Sequence, residues 1–580
     1  MKRISTQPRL FLAANFFLSF AILLAACAPP VTQLTSVPQV IRETVVVEGT
    51  PQVVTATPPP TPAPTEVPEL TRASEQVIRV AHQYSWRWDP ATSGGTDFQV
   101  GMNTFFGTLM EVDRNGAMVP FAAEKVDVSD DGLTYTYTLR KNLKFGPTGT
   151  PVTANEVKWS WERNLKAGES VVDILKNVEG FTDFMDDVTE HLAGLVVVDD
   201  STFQVEFASF DSLWWEQQGH TGLMILEQAQ IERGTSDRHW CEGGCGGVGR
   251  YIIEEINMEE QWAWLVKNPF YAGSDNNGPD RIYVTRVPDG QTRLLMYESG
   301  ELDVIFVAGA AVKAVSQPDH PLHSELLRRD AQGFSNLIMR ADRAPFDDPK
   351  FREAVYYAID YQNIVKNVYG GAYNVMNANA GPWGGYSEVT KDWPELAQDV
   401  DRAQQAFKDS SYGGDPTKVP TIRLFSSATS NTRLYYQAMQ ENIATVLGVR
   451  VDLVISDNPL RPEEQESEQW QGWSHAPVTY EPGEVLYRLW ACDGVWYPDW
   501  GHWCDEEMTA IMKEADQTTD PAKRYELYAQ ADQILLNAHV NILMFYQTNY
   551  FLQKPYVQDA VFGDKSPMVF NWHEVWVSEH

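Results

Sequence analysis

Apolar residues recur with period two in several short stretches of the chain. Leu133, Tyr135, Tyr137 and Leu139 alternate with Thr134, Thr136 and Thr138 directly after the turn pair Asp131-Gly132, the mark of a strand with one buried face. Phe203, Val205 and Phe207 repeat the pattern over 202–208, and 76–81 (Gln-Val-Ile-Arg-Val-Ala) reads as a first strand. Between them, 153–164 has helical spacing with Thr153 as its cap, which places Trp159 and Trp161 in a core. The second half restarts at Ala344-Pro345-Phe346-Asp347-Asp348-Pro349. There Asp348 caps a helix opened by Pro349, with Phe351, Ala354, Val355 and Ala358 as its buried stripe. A strand at 421–425, a helix at 431–447 stopped by Gly448, and a strand at 449–455 make a βαβ unit. No short repeat is visible, and two mixed α/β lobes fit this order better than one.

The first residues break the pattern. Lys2, Arg3 and Arg9 precede an apolar run from Leu10 to Ala26 that ends in Leu24-Ala25-Ala26-Cys27. A basic start, a short apolar stretch and small residues before a cut site describe an export signal rather than a spanning helix. Leu-Ala-Ala-Cys resembles the bacterial lipobox, so Cys27 is expected to be lipidated and to become the new N-terminus. Residues 28–74 then hold ten of the 34 prolines. Repeated proline enforces an extended chain of about 3.1 Å per residue, so this tether would reach on the order of 100 Å. Folded structure is expected from near Glu75, and no later segment is apolar and long enough to span a bilayer.

The chain has 580 residues, two to four globular units by length, with 45 Lys+Arg against 79 Asp+Glu. The net charge of −34 repels phosphate backbones, which argues against nucleic-acid partners. With 43% hydrophobic and 12% aromatic residues, the composition also excludes global disorder. Four cysteines follow Cys27: Cys241, Cys245, Cys492 and Cys504. An even count in an exported protein favours disulfides. Three pairings exist, and the close spacings favour Cys241–Cys245 and Cys492–Cys504. His239 and His502 sit beside these pairs, but Cys-x3-Cys with one His does not complete a tetrahedral metal set. Neither metal nor cofactor is expected.

Three sets of motifs stand in a familiar order. The first is Asp130-Asp131-Gly132-Leu133-Thr134-Tyr135-Thr136-Tyr137-Thr138-Leu139-Arg140, with Lys144-Phe145 and then Pro151-Val152-Thr153-Ala154-Asn155-Glu156-Val157. The second is Gly247-Val248-Gly249-Arg250-Tyr251, followed by Lys267-Asn268-Pro269-Phe270-Tyr271 and Ser299-Gly300-Glu301-Leu302-Asp303. The third runs from Pro345-Phe346-Asp347-Asp348 through Arg352-Glu353-Ala354 to Ala358-Ile359-Asp360. Over about 77–555 the chain resembles the bacterial extracellular solute-binding proteins of family 5, the oligopeptide- and dipeptide-binding group serving ABC importers. The resemblance implies a two-lobed fold of the periplasmic-binding-protein type, hinged around a ligand cleft, with an extra domain inserted in the first lobe. Mapped here, the base of lobe I is 76–113, 246–335 and 546–580, the insert 114–245, and lobe II 336–545.

The same resemblance implies the site. Trp86 and Trp88 follow the first strand, where ligand-facing residues lie, and Trp473 aligns with a Trp-containing binding loop. Trp383 follows a region that closes over ligand, and Tyr546 belongs to a Tyr-rich segment at the cleft edge. Peptide-binding members carry an Asp soon after the loop Trp, to meet the peptide ammonium. Here Ser474, His475, Ala476 and Pro477 follow, and no Asp appears before Asp493. His475 is the candidate substitute, although a neutral His cannot neutralise an ammonium. The expected role is a monomeric, extracytoplasmic lipoprotein that delivers a solute to an ABC permease, with a peptide first and an oligosaccharide second. Two other classes compete. A hydrolase would need a Gly-x-Ser-x-Gly elbow, a His-Glu-x-x-His helix or a convincing carboxylate pair, and the first two are missing. A structural lipoprotein without ligand would have its cleft filled by its own side chains.

Overall fold

The alternating stretches become strands whose apolar faces are buried. The computed structural model describes residues 70–82, 89–91, 104–114, 117–167, 172–233, 241, 244–307, 310–381, 384–427, 430–456, 472–475, 482–494, 501–559, 561, 570 and 572–580, all within the unit Leu70–His580. The strands in the first half are β1 (Val77–His82), β2 (Met110–Val112), β3 (Met118–Pro120), β4 (Ala123–Val128), β5 (Thr134–Leu139), β6 (Leu195–Asp199), β7 (Thr202–Glu206), β8 (Tyr251–Asn257), β9 (Trp262–Lys267) and β10 (Arg281–Arg286). Then come β11 (Val304–Val307), β12 (Leu326–Met339), β13 (Asn374–Val375), β14 (Ile422–Ser427), β15 (Val451–Ser456), β16 (Gly472–His475), β17 (Asn541–Gln553), β18 (Val557–Gln558) and β19 (Trp576–Val577).

Among the described residues an eleven-stranded mixed sheet runs β15-β14-β16-β12-β17-β11-β1-β10-β9-β8, with β13 attached to β17. A separate four-stranded sheet, β4-β5-β7-β6, is antiparallel throughout. Tyr135, Tyr137, Phe203 and Val205 point into its core, as their spacing requires. β14 and β15 pair in parallel from Ile422↔Val451 to Ser427↔Ser456, joined by the helix Ser430–Leu447. Gly448, at φ +71°, supplies the left-handed residue that ends this helix. β1 starts one residue later than its periodicity suggests. The Gln76 side chain instead reaches the C-terminal strand, donating to Val577 O at 2.8 Å and accepting from Val577 N at 2.9 Å.

The caps read from the sequence are in place. The Asp348 carboxylate accepts from Lys350 N at 2.8 Å and Phe351 N at 3.2 Å, and Pro349 opens the helix Pro349–Ala358. Phe351, Ala354, Val355 and Ala358 are all fully buried. Thr153 and Glu156 cap the start of the helix Ala154–Ala167: Thr153 N donates to Glu156 Oε2 at 2.8 Å, and Asn155 N donates to Thr153 Oγ1 at 3.2 Å. On this helix Trp161 is buried beneath the four-stranded sheet, its Nε1 donating to Leu223 O at 2.8 Å. Trp159, only partly buried, packs against the core of the larger sheet instead. One helix therefore welds two cores.

β12 and β17 are the longest strands and lie side by side at the middle of the large sheet. β17 pairs with β11 through Tyr550–Gln553 and with β13 through Tyr546 and Phe545, while β12 pairs with β16 through Asn336–Met339. Each strand thus serves both halves of the sheet. Their ladder breaks where the halves meet: Asp330 pairs with Thr548 and Phe334 with Tyr546, so three residues of β12 face one of β17. Such a bulge bends a strand pair and loosens its ladder locally.

The Gly-Val-Gly-Arg-Tyr motif explains itself by close approach. A Cβ on Gly247 would lie 2.5 Å from Phe106 O, and one on Gly249 would lie 2.6 Å from Phe105 Cα. Gly247 N and Val248 N donate to Phe105 O and Phe106 O, both at 2.7 Å. Arg250 then clamps Glu111 with two bonds of 2.7 and 2.8 Å and Asp275 with one of 2.6 Å, its guanidinium lying over Phe121. Among the described residues, no helix is long and apolar enough to cross a membrane. Gly249→Ala forces a methyl into backbone atoms, and the expected loss is about 1–3 kcal/mol. Urea unfolding measures it, and an unchanged midpoint would show that the Phe105 backbone yields freely.

Candidate functional site

Two of the expected contact residues stand in β16. That strand lies between β14 and β12, with Trp473 opposite Ile338 and Phe425, and His475 opposite Asn336. The backbone of the Trp loop is thereby held on both edges by neighbouring strands. Trp86 and Trp88 lie outside the described residues, between the end of β1 and Asp89, and so does Trp383. Asp89 itself is buried and held by two bonds of 2.5 Å from Arg163. Cys27 also lies outside the described residues.

Tyr546 is half-buried in β17, and its hydroxyl donates to Asn377 Oδ1 at 2.8 Å. Burial raises its hydroxyl pKa well above the ordinary phenol value, so it stays protonated and donating. Asn377 in turn donates to Thr390 O at 3.0 Å and Trp393 O at 3.3 Å. One phenol therefore links a central strand to the segment that leads into Gly381-Pro382-Trp383.

A second, deeper network holds the same segment. Asp532, on the helix Pro521–Ala538, is fully buried. Its carboxylate accepts from Asn379 N at 3.0 Å, Asn379 Nδ2 at 2.6 Å, Ala380 N at 3.4 Å and the Tyr386 hydroxyl. Asn379 Oδ1 accepts from Asn541 Nδ2 at 2.9 Å, and Asn541 Oδ1 accepts from Asn336 Nδ2 at 2.8 Å. The chain of side chains runs from β12 through β17 to residues 379–386, which flank Trp383 on both sides. Burial pushes the Asp532 carboxyl up, while the donors around it oppose that shift. No spacing in the sequence reveals this group; the Asn-x-Asn at 377–379 is the one local trace, and it is too common to carry meaning.

The four later cysteines pair as 241–245 and 492–504, so their sulfurs are not thiolate ligands. Among the described residues, no group of three or more His, Cys, Asp or Glu is arranged to hold a metal ion. The second disulfide ties the end of the helix Pro482–Trp490 to the start of Glu506–Asp516, and Trp503 packs edge-on to Trp490 at 6.3 Å. Trp214 is buried beneath the four-stranded sheet while its neighbour Trp215 is 37% exposed. A cavity of about 650 Å³ lies between Tyr356, Tyr357, Trp393, Leu396 and His539, with Asn377 on its wall. Burial holds His539 neutral, its pKa pushed down to about 4.

Comparison with known proteins follows the same lines. Residues 117–496 match the model described as "Bacterial extracellular solute-binding proteins, family 5 Middle". The heme-binding protein A of Haemophilus influenzae is 24% identical over 493 residues, covering 81% of this chain and 88% of that protein. The glutathione-binding protein GsiB of Escherichia coli O1:K1 is 25% identical over 478 residues, covering 80% and 87%. The crystal structure of Haemophilus influenzae OppA in complex with RPPGFSPFR superposes with a TM-score of 0.72 at 19% identity, over 88% of this chain and all of that one. At that identity the likeness establishes the fold, which is that of the periplasmic binding proteins.

Removing the Asp532 carboxylate leaves four buried donors without an acceptor. Asp532→Ala is expected to lower stability by at least about 3 kcal/mol, and Tyr386→Phe by about 1–3 kcal/mol. Denaturant melts of both variants test this. A loss below about 1 kcal/mol for Asp532→Ala would mean that the donors find other partners.

Proposed function

The chain belongs to the bacterial extracellular solute-binding proteins of family 5, and on that premise we propose that it captures a peptide-like solute between two lobes and delivers it to an ABC permease. The family match over 117–496 carries this reading. Peptide-like solutes come first because relatives named for glutathione and for a bound nonapeptide match over most of this chain. The relative named for heme marks how widely ligands vary on this scaffold. Transport proteins of this family work outside the cytoplasm; here the anchor would be a lipid on Cys27, and the working form a monomer.

The lobes of the proposal are a base of 76–113, 246–335 and 546–580, an insert of 114–245, and a second lobe of 336–545. β12 and β17 would be the hinge, because they serve both halves of the sheet and bulge between Asp330 and Phe334. Trp86, Trp88, Trp383, Trp473 and His475 would line the cleft. Tyr546 acts there through Asn377, since its hydroxyl is already engaged. Aromatic faces would supply apolar contact and stacking. With no Asp between Trp473 and Asp493, the ammonium partner of ordinary peptide recognition is missing, which favours peptides bound through side chains and backbone over those held by a free N-terminus.

A thermal-shift screen of the full chain against pooled peptides, glutathione, heme and pooled oligosaccharides tests the reading. A solute at 100 times its dissociation constant stabilises by about 2.7 kcal/mol, and peptides are expected to produce that shift. Trp473→Ala is expected to weaken the peptide by about tenfold, the loss of roughly 1.4 kcal/mol of contact. A shift with oligosaccharides alone would displace the peptide assignment, and no shift with any pool would remove the solute-binding reading.

A further inference from the structure

Residues 211–220 follow β7 and are anchored beneath the four-stranded sheet. Trp214 is fully buried, and its Nε1 donates to the Tyr137 hydroxyl at 3.1 Å, while that hydroxyl donates to Gln218 Oε1 at 2.5 Å. Their other side meets helices from the far half of the chain. Ser212, itself buried, donates from Oγ to Asp516 Oδ1 at 2.9 Å across 304 positions of sequence. Asp516 ends the helix Glu506–Asp516, which the disulfide Cys492–Cys504 ties to Pro482–Trp490.

Charged groups converge on this contact from every element around it. Asp211 accepts from Leu213 N and Asn177 Nδ2, both at 3.0 Å, and feels the charges of Lys176 and Arg488. Asp516 feels Asp211, Lys176 and Arg524, and its charge reaches Tyr487. Glu216 faces Arg524, and His220 faces Arg488. Asp493, Lys513 and Tyr487 form a separate group beside it.

We propose that this contact is a latch between the inserted domain and the second lobe, and that proton uptake by Asp211 and Asp516 tightens it. The proposal rests on the solute-binding reading, in which closing of the lobes is capture. Two carboxylates from opposite sides repel one another when both are ionised, and each takes one proton from solvent to become a neutral hydrogen-bonding group. Burial pushes both carboxyls above their ordinary range, and the Asp211 charge pushes Asp516 further. Glu216 is raised by burial in the same sense.

On opening, water reaches these groups and their ordinary values return. The closed form therefore binds more protons than the open one. The stabilisation of closure by protonation is complete below the ordinary carboxylate range and is lost as pH rises through the raised values. His220 works against it increasingly as pH falls from 6.5 to about 4, because burial holds it neutral in the closed form. Its Nδ1 accepts from Gly222 N at 3.1 Å within its own segment. Asn variants therefore isolate the carboxylates.

The test is small-angle scattering of the ligand-free full chain at pH 5 and pH 8. Asp516→Asn removes the charge but keeps an acceptor for Ser212. At pH 8 it is expected to be more compact than wild type, with a smaller change between the two pH values; Asp211→Asn should behave alike. The closed-to-open ratio should rise about tenfold for each unit by which closure raises the carboxyl. Ser212→Ala should be more open than wild type at both pH values. An Asp516→Asn profile that follows wild type would overturn the latch, as would a variant no more compact at pH 8. As a second measurement, Ser212→Cys/Asp516→Cys should form an intramolecular linkage on oxidation, visible in unreduced mass spectra. Free thiols at both positions after oxidation would also overturn it. Neither readout needs a solute, so a latch without a thermal shift would sink the solute reading alone.

Discussion

The pairing of β12 with β17 is the interaction on which the rest of the molecule depends. Both strands are long enough to reach past the middle of the large sheet, so each contributes backbone bonds to either half. Every other strand of that sheet is attached directly or through neighbours to this pair. Any relative movement of the halves must pass through it. The bulge between Asp330 and Phe334 interrupts the regular register of this pair, and a bulge loosens a ladder locally.

Buried polar groups organise what the strands connect. Asp532 draws the segment on both sides of Trp383 onto one helix, and the amides of Asn379, Asn541 and Asn336 carry that restraint to the central strands. Tyr546 does the same through Asn377. Such groups are directional where apolar packing is not, so they set the position of a loop rather than only its burial. Arg250 plays the equivalent part in the first half, where Glu111 and Asp275 come from different segments and meet on its guanidinium. The segments on either side of Trp383, and Glu111 with Asp275, are thus held in place by side chains on or beside helices and strands.

Several features were legible in the chain before any tertiary information. The alternation at 133–139 and 202–208 places Tyr135, Tyr137, Phe203 and Val205 correctly, since strand geometry alone decides which side chains share a face. Asp348 with Pro349, and Thr153 with Glu156, announce helix starts through bonds no longer than three residues. The βαβ unit, with its helix ended by Gly448, follows from lengths and one left-handed residue. Element ends shifted by a residue or two where a distant partner intervened, as with Gln76 and Val577. Trp159 and Trp161 show the limit: both sit on one helix, yet they enter different cores because two sheets meet there.

The sequence by itself determined the local elements and the family, and favoured the close-spaced disulfides, because each is written in periods, caps, spacings or motifs of adjacent residues. Only the tertiary structure decided which residues act together over distance. Nothing in the order of residues pairs Ser212 with Asp516, Asp532 with Asn379, or Arg250 with Glu111. Those contacts join segments 139 to 304 residues apart. They exist because packing of the sheets and helices brings distant polar groups into a low-dielectric interior, where each must find the partner that the fold supplies.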